Sequence, residues 1–344
     1  MLDFSAARVL TACLHRIPHP GGDAALMLSE QLLDTSAIAG LEAHLAKFFK
    51  PFNVIERHAF SDLEENKVYE DVGKIFKDVQ SLVPSSAEIA EYLYRLSDDP
   101  AIPSGDFLIV YFQDVQLDDE MLDAIGLYKW EKKHAYGSIK AVPGMVSMEV
   151  GEGIALDKMD KGCMIFNTLA NEGYTVCVTE KAASGVAGSY WKHGFLRLAP
   201  CNDNFHQTRT YLELAKQFIQ QHLPEERGLN KSDEISYMQR TADYFKGEDT
   251  FVRNDFAKQV FQEDEVIDSF QNFGNNFNSN SNIDLEDHFE ISDQAFKKQA
   301  KFFKSILKLD KNFHIYIHGN REMIEKGVDE QGRKFYKIFY QEEA

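Results

Sequence analysis

Residues 105–112 read GDFLIVYF, and residues 122–133 read LDAIGLYKWEKK. The first stretch holds an unbroken apolar run, Phe107 to Phe112. A run of that length suits a buried strand and is far too short to cross a bilayer. Asp106–Gln113 and Asp123–Lys133 are therefore predicted as two strands joined by the acidic loop Asp114–Glu120. A second hairpin, Cys163–Leu169 with Tyr174–Thr179, is predicted around Asn171-Glu172-Gly173, where glycine supplies the positive φ of a tight turn. Upstream, Arg8–Ile17 reads as a strand stopped by Pro18-His19-Pro20-Gly21-Gly22. Helical spacing covers Ser36–Lys50, ended by Pro51, and Ser86–Leu96, begun at Ser85-Ser86. Residues 1–200 thus form an α+β domain with an antiparallel sheet and helices.

Downstream the pattern turns helical. Phe205–His222, Asp233–Phe245 and Asn254–Phe273 make a helical middle region over 201–270, punctuated by Pro224 and Gly247. QNFGNNFNSNSN at 271–282 is Asn/Ser-rich and is expected to be a flexible linker. Residues 283–344 follow as a basic unit, a C-terminal helix plus β-hairpin. No repeat of 20–50 residues occurs.

The 344 residues carry a net charge of −18, a poor total for a protein that coats a polyanion with its whole surface. The charge is uneven, however. Residues 297–340 hold 11 Lys/Arg against 5 Asp/Glu, a local net of +6, which leaves −24 on the remainder. The start, Met1-Leu2-Asp3-Phe4-Ser5, has no basic segment or long apolar core of a secretory signal, so a cytoplasmic location is expected. Cys13, Cys163, Cys177 and Cys201 form no C-x-x-C pair and read as buried thiols, not a disulfide framework.

The basic end has a pattern of its own. Ser292 is a good N-cap, with Ile291 and Phe296 at the positions of a hydrophobic staple. A helix from Asp293 to about Lys311 would bring Lys297, Lys301, Lys304, Lys308 and Lys311 within about 40° of one line, a stripe roughly 21 Å long. Phe296, Ala300, Phe302, Phe303, Ile306, Leu307 and Leu309 would fill the opposite half. Duplex DNA carries a charge about every 1.7 Å of axis, so such a row can meet several phosphates without reading bases. Phe313–His318 and Arg333–Tyr340 read as two strands after the helix, the second adding Arg333, Lys334 and Lys337 to the candidate DNA contacts. The plain alternative is a solvated lysine face, or one docked on the chain's own acidic body.

GDFLIVYF at 105–112, LDAIGLYKWEKK at 122–133, LDKMDKGCMIFN at 156–167, KKQAKFFKSILKLDKNFHIYIHG at 297–319 and GRKFYKIFY at 332–340 together resemble the 37-kDa nucleoid-associated proteins of bacteria, in the form found in Bacteroidetes-type genomes. The resemblance implies nucleoid association, DNA binding without catalysis, and contact with a type II topoisomerase. It supplies no residue-level site. The lysine assignment rests on helical geometry alone.

Two other readings stay open. One is an acidic adaptor or DNA mimic that joins the nucleoid by binding a DNA enzyme such as a topoisomerase. The other is a Mg²⁺-dependent nuclease: Asp106 opens one strand and Glu131 and Lys133 close the next, loosely like a core in which two carboxylates hold the metal and a lysine polarises water or phosphate. Short patterns of this kind are common as alternating charges at strand ends. His314 and His318 would sit about 13 Å apart on a strand, too far to share one zinc. His15 and His19 have no Cys partner nearby. Ser184–Ser189 with Lys181 and Lys192 lacks the phosphate-loop pattern, and Tyr190-Trp191 reads as a core pair. No serine elbow occurs. The expectation is therefore no metal site, no cofactor and no catalysis, with oligomeric state undetermined.

Overall fold

The computed structural model describes residues 2–52, 56–180, 189–229, 231–281, 285–303, 306–309, 313–316, 324–340 and 342. The chain divides into two compact units, residues 1–201 and 202–344.

The first unit is built on an eight-stranded antiparallel sheet. Its strands are β1 (Leu2–Asp3), β2 (Arg8–Ile17), β3 (His58–Phe60), β4 (Gly105–Leu117), β5 (Glu120–Trp130), β8 (Lys161–Phe166), β9 (Thr175–Glu180) and β10 (Leu198–Pro200). Between β5 and β8 the chain inserts a separate two-stranded ribbon, β6 (His134–Val142) and β7 (Met145–Gly153). The order is β1-β4-β5-β8-β9-β3-β10, and β2 shares the outer edge of the long strand β4 with β1. The run at 107–112 is apolar throughout because this sheet is covered on both faces. Phe107, Ile109 and Tyr111 join one core, with Ile89 and Leu93 from α4 (Leu82–Leu96) and Val68, Val72 and Ile75 from α3 (Lys67–Lys77). Leu108, Val110 and Phe112 join the other, with Phe48 and Phe49 from α2 (Leu45–Phe49). A strand with helices above and below has no face left for polar residues.

The helix expected over Ser36–Lys50 is two short ones, α1 (Thr35–Glu42) and α2, broken at His44, whose backbone leaves the helical region at φ −128°, ψ 23°. Helix α4 begins at Leu82, four residues before the expected Ser86, because both Ser85 and Ser86 are buried inside the helix and do not cap it. Gly173 fills its expected role in the second hairpin: φ is +97°, and a Cβ there would lie 2.3 Å from the carbonyl oxygen of Phe60. Cys13, Cys163 and Cys177 are buried, Cys201 is partly exposed, and none is in a disulfide.

The second unit gathers α5 (Asn204–Gln217), α6 (Leu223–Arg227), α7 (Lys231–Gly247), α8 (Arg253–Phe261), α9 (Asp264–Ser281) and α10 (Asp293–Gln299) around one aromatic core. Strands β11 (Thr250–Val252) and β12 (His288–Glu290) pair within it. Pro224, which has no amide hydrogen, sits just after a wide π turn at Phe218–His222 that joins α5 to α6.

Two expectations fail here. The Asn-rich stretch proposed as a linker is helical through Ser281 as the second half of α9. Phe270 is fully buried, and Phe273 and Phe277 pack on the same core at helical spacing. The Arg253 guanidinium donates to the Gln271 carbonyl at 3.2 Å and the Asn275 side chain at 2.9 Å. Residues 285–303 then return to that core through Leu285, Phe289, Phe296 and Phe303, so they are not a detached unit. The second failure is the long lysine helix. Ser292 does cap α10, its hydroxyl accepting from the Ala295 amide, but the α-helix ends at Gln299 and a single 3-10 turn ends at Phe303. Ile306–Leu309 is instead strand β13, paired in register with β14 (Phe313–Tyr316). Phe313–Tyr316 therefore pairs with the preceding segment and not with the later one; β16 (Lys334–Ile338) pairs with β15 (Ile324–Val328).

Candidate functional site

The proposed DNA-contacting residues are spread over three elements. Lys297 lies on α10, 75% exposed and 4.0 Å from the equally open carboxylate of Asp293. Lys301 lies in the 3-10 turn, and Lys308 lies on β13 opposite His314. Lys304, Lys311 and His318 fall outside the described residues. With the helix ended, a continuous five-lysine stripe cannot form. Arg333, Lys334 and Lys337 come together on the β15–β16 hairpin, all exposed. Arg333 donates to Asp329 at 2.7 Å across the turn, and Lys337 stands 3.9 Å from Glu325, its cross-strand partner. Such exposed pairs contribute little to stability and can exchange their partners, since each typically gains only about 0–1 kcal/mol. Val328, Phe335, Ile338, Phe339 and Tyr340 are exposed on the same hairpin and its end, so the cations stand among aromatic and aliphatic side chains.

The nuclease-like pattern falls where β2, β4 and β5 end, around a cavity of about 460 Å³ lined by Arg16, Asp106, Glu131, Lys132 and Lys133 among others. Each carboxylate is already held by the protein. Asp106 accepts from the Arg16 guanidinium at 2.9 Å. Glu131 accepts from the Tyr190 hydroxyl at 2.7 Å and from the Lys129 ammonium at 3.3 Å. Among the described residues, no three His, Cys, Asp or Glu side chains gather as a metal-binding group.

Behind that cavity lies a buried ionic cluster. Lys129 is wholly buried, and its ammonium also donates to the Pro103 carbonyl at 2.7 Å and the Tyr190 hydroxyl at 3.0 Å. Burial pulls its pKa down from 10.5 to about 8, against the opposing pull of Glu131. The Tyr190 hydroxyl is pushed up, by burial first and by Glu131 second. Lys161 pairs with Glu180 at 3.1 Å, and both ammonium groups lie about 5 Å from the Tyr190 ring centroid. Asp160 accepts from the Glu131 amide at 2.8 Å, while its own amide donates to the Lys129 carbonyl at 3.0 Å. The cluster ties together the ends of β5, β8 and β9. One signal for it stands in the sequence: Lys129 interrupts Leu127-Tyr128-Lys129-Trp130, in a strand with no polar face to receive a lysine.

The fold and its charge distribution define a two-unit α+β protein with an acidic body and a cationic hairpin near its C-terminus. Residues 14–333 match the family model described as nucleoid-associated protein YejK, and the chain belongs to that family. No curated protein matches it. No helix among the described residues is long and apolar enough to cross a membrane.

Proposed function

We propose that this nucleoid-associated protein binds duplex DNA directly, largely without sequence preference and without catalysis, through cationic side chains of residues 297–337, in the bacterial cytoplasm. The observation that carries the reading is the family match over 14–333. It is supported by the local net of +6 on a chain of −18, and by the exposure of Lys297, Arg333, Lys334 and Lys337. The contact is a set of separate lysines and arginines spread over a helix and a hairpin. Lys301, Lys304, Lys308 and Lys311 extend the same charge along the sequence.

A salt titration of DNA binding tests this. With about five phosphates neutralised, log K falls against log[salt] with a slope near −4 to −5. Arg333→Glu with Lys334→Glu and Lys337→Glu should abolish the gel shift at low salt. Wild-type binding by that triple variant, or a flat salt response, removes the hairpin from the interface. A second reading draws on the −24 remainder and on the ion pairs at Arg333 and Lys337: the protein reaches the nucleoid as an acidic adaptor on a DNA enzyme such as a type II topoisomerase. It predicts no shift by the purified protein, and co-purification with that enzyme.

A further inference from the structure

The β6–β7 ribbon leaves the sheet after Trp130 and ends at Gly153, and the chain rejoins the sheet at Lys161. Its base is pinned: the Trp130 indole donates to the Ala155 carbonyl at 2.9 Å, and Asp160 bonds the Glu131 amide. Beyond that base every residue from Ala135 to Glu152 is exposed or half-exposed. The register is unbroken from His134↔Gly153 to Val142↔Met145, so side chains alternate cleanly between two faces. One face carries His134, Tyr136, Ser138, Lys140, Ser147 and Glu149, with Lys140 and Glu149 paired at 2.7 Å and with Val142 and Met145 at the turn end. The other carries Ile139, Val146, Met148 and Val150, separated only by alanine and glycine until Glu152 at its end. These four are 71%, 74%, 66% and 71% exposed. A half-buried ribbon would show this alternation with its apolar side covered; here that side is open.

We propose that this apolar face is an interface between two copies of the chain, packed ribbon on ribbon about a two-fold axis. Charge decides the occupant. Residues 134–153 contain one lysine and two glutamates, and only Glu152 lies on the apolar face, so two chains of −18 can approach here with little repulsion. The same lack of cations makes the face unsuited to a polyanion. A flat row of aliphatic side chains is also its own complement under two-fold symmetry. Nine-residue strands give a ribbon about 30 Å long and, with side chains, roughly 15 Å wide. Two such faces bury on the order of 900 Å², at the low end of specific interfaces, so the pairing is reversible and concentration-dependent.

Sedimentation of the full-length chain over a concentration series tests this. The wild type should rise toward twice the monomer mass. Ile139→Glu with Val150→Glu should hold it at one chain at every concentration, and the milder Ile139→Ser with Val150→Ser should weaken association at least tenfold. Ser138→Glu, on the polar face, should leave it unchanged. All three substituted side chains lie outside the core, so circular dichroism and the unfolding transition should match wild type in each variant. A wild type that stays monomeric throughout overturns the proposal, as does association of the glutamate pair equal to wild type or an open ladder of higher masses. If the wild type is monomeric and the glutamate pair instead loses its DNA shift, the face belongs to DNA and the two-copy assignment is wrong.

Discussion

His15 sits on β2 with only 1% of its surface exposed, and its Nδ1 accepts a hydrogen bond from the Ser29 amide at 3.1 Å. That bond requires a neutral ring with the proton on Nε2. Burial holds the pKa down at about 4, from 6.5. Above pH 6.5 neither state binds the extra proton and no stability is lost. Between about 6.5 and about 4 the unfolded chain takes up a proton that the native chain refuses, so stability falls as pH falls. Below that window the accumulated loss is about 3 kcal/mol. His15→Asn keeps an acceptor for Ser29 and has nothing to protonate. Denaturant unfolding of wild type and variant across this range should show the wild type losing more stability on acidification; parallel pH profiles would remove His15 as the source. Lys129 shows the same physics in a cation, with Glu131, Tyr190 and the Pro103 carbonyl around it and Asp160 adding to the pull that keeps it charged. Removing one partner from such a cluster costs more than the cluster contributes, because the other charge stays behind in a dry site.

Helix α9 shows how composition misleads and packing decides. Its second half is rich in asparagine, a weak helix former, yet Phe270, Phe273 and Phe277 keep helical spacing into the core. Phe270 lies within 6 Å of the rings of Phe218, Phe256 and Phe261. Phe270→Ala should therefore cost about 3–5 kcal/mol in denaturant unfolding. Exposed Asn276→Ala on the same helix should be neutral or stabilising by up to about 0.7 kcal/mol. Equal effects would mean that the helix is not held by its phenylalanines. Strand β2 was legible to the residue, because the mostly apolar run Val9–Leu14 leads to Ile17 and Pro18 ends it. Ile306–Leu309 was not, since Ile306, Leu307 and Leu309 satisfy a helical face and a strand equally well. Only the pairing with Phe313–Tyr316, a non-local fact, separates the two. The β6–β7 ribbon escaped notice for a related reason: Gly137, Gly151 and Gly153 dilute its strand character, and its alternation serves no core.

For the whole molecule, salt should act in opposite directions on folding and on binding. The −24 outside residues 297–340 repels itself, and screening relieves that repulsion. Thermal unfolding of the DNA-free protein should therefore shift upward with added sodium chloride over the range in which DNA affinity falls. A melting temperature that drops along with affinity would place the dominant electrostatics in attractive pairs such as Lys161–Glu180 and not in the acidic surface. The α+β class and the antiparallel sheet were readable from hydrophobic patterning, because burial writes itself into the sequence. The cationic surface was readable only as a tally of charges, because charge position depends on which strands pair.

The four thiols have a practical consequence. Three lie inside the first unit, where burial raises their pKa values, Cys177 to about 12, and keeps them in the unreactive protonated form at neutral pH. Cys201 alone is partly open, and it is the last residue before the second unit begins. A maleimide dye added to the native, unmutated protein thus attaches at Cys201, a built-in position for a fluorescent reporter.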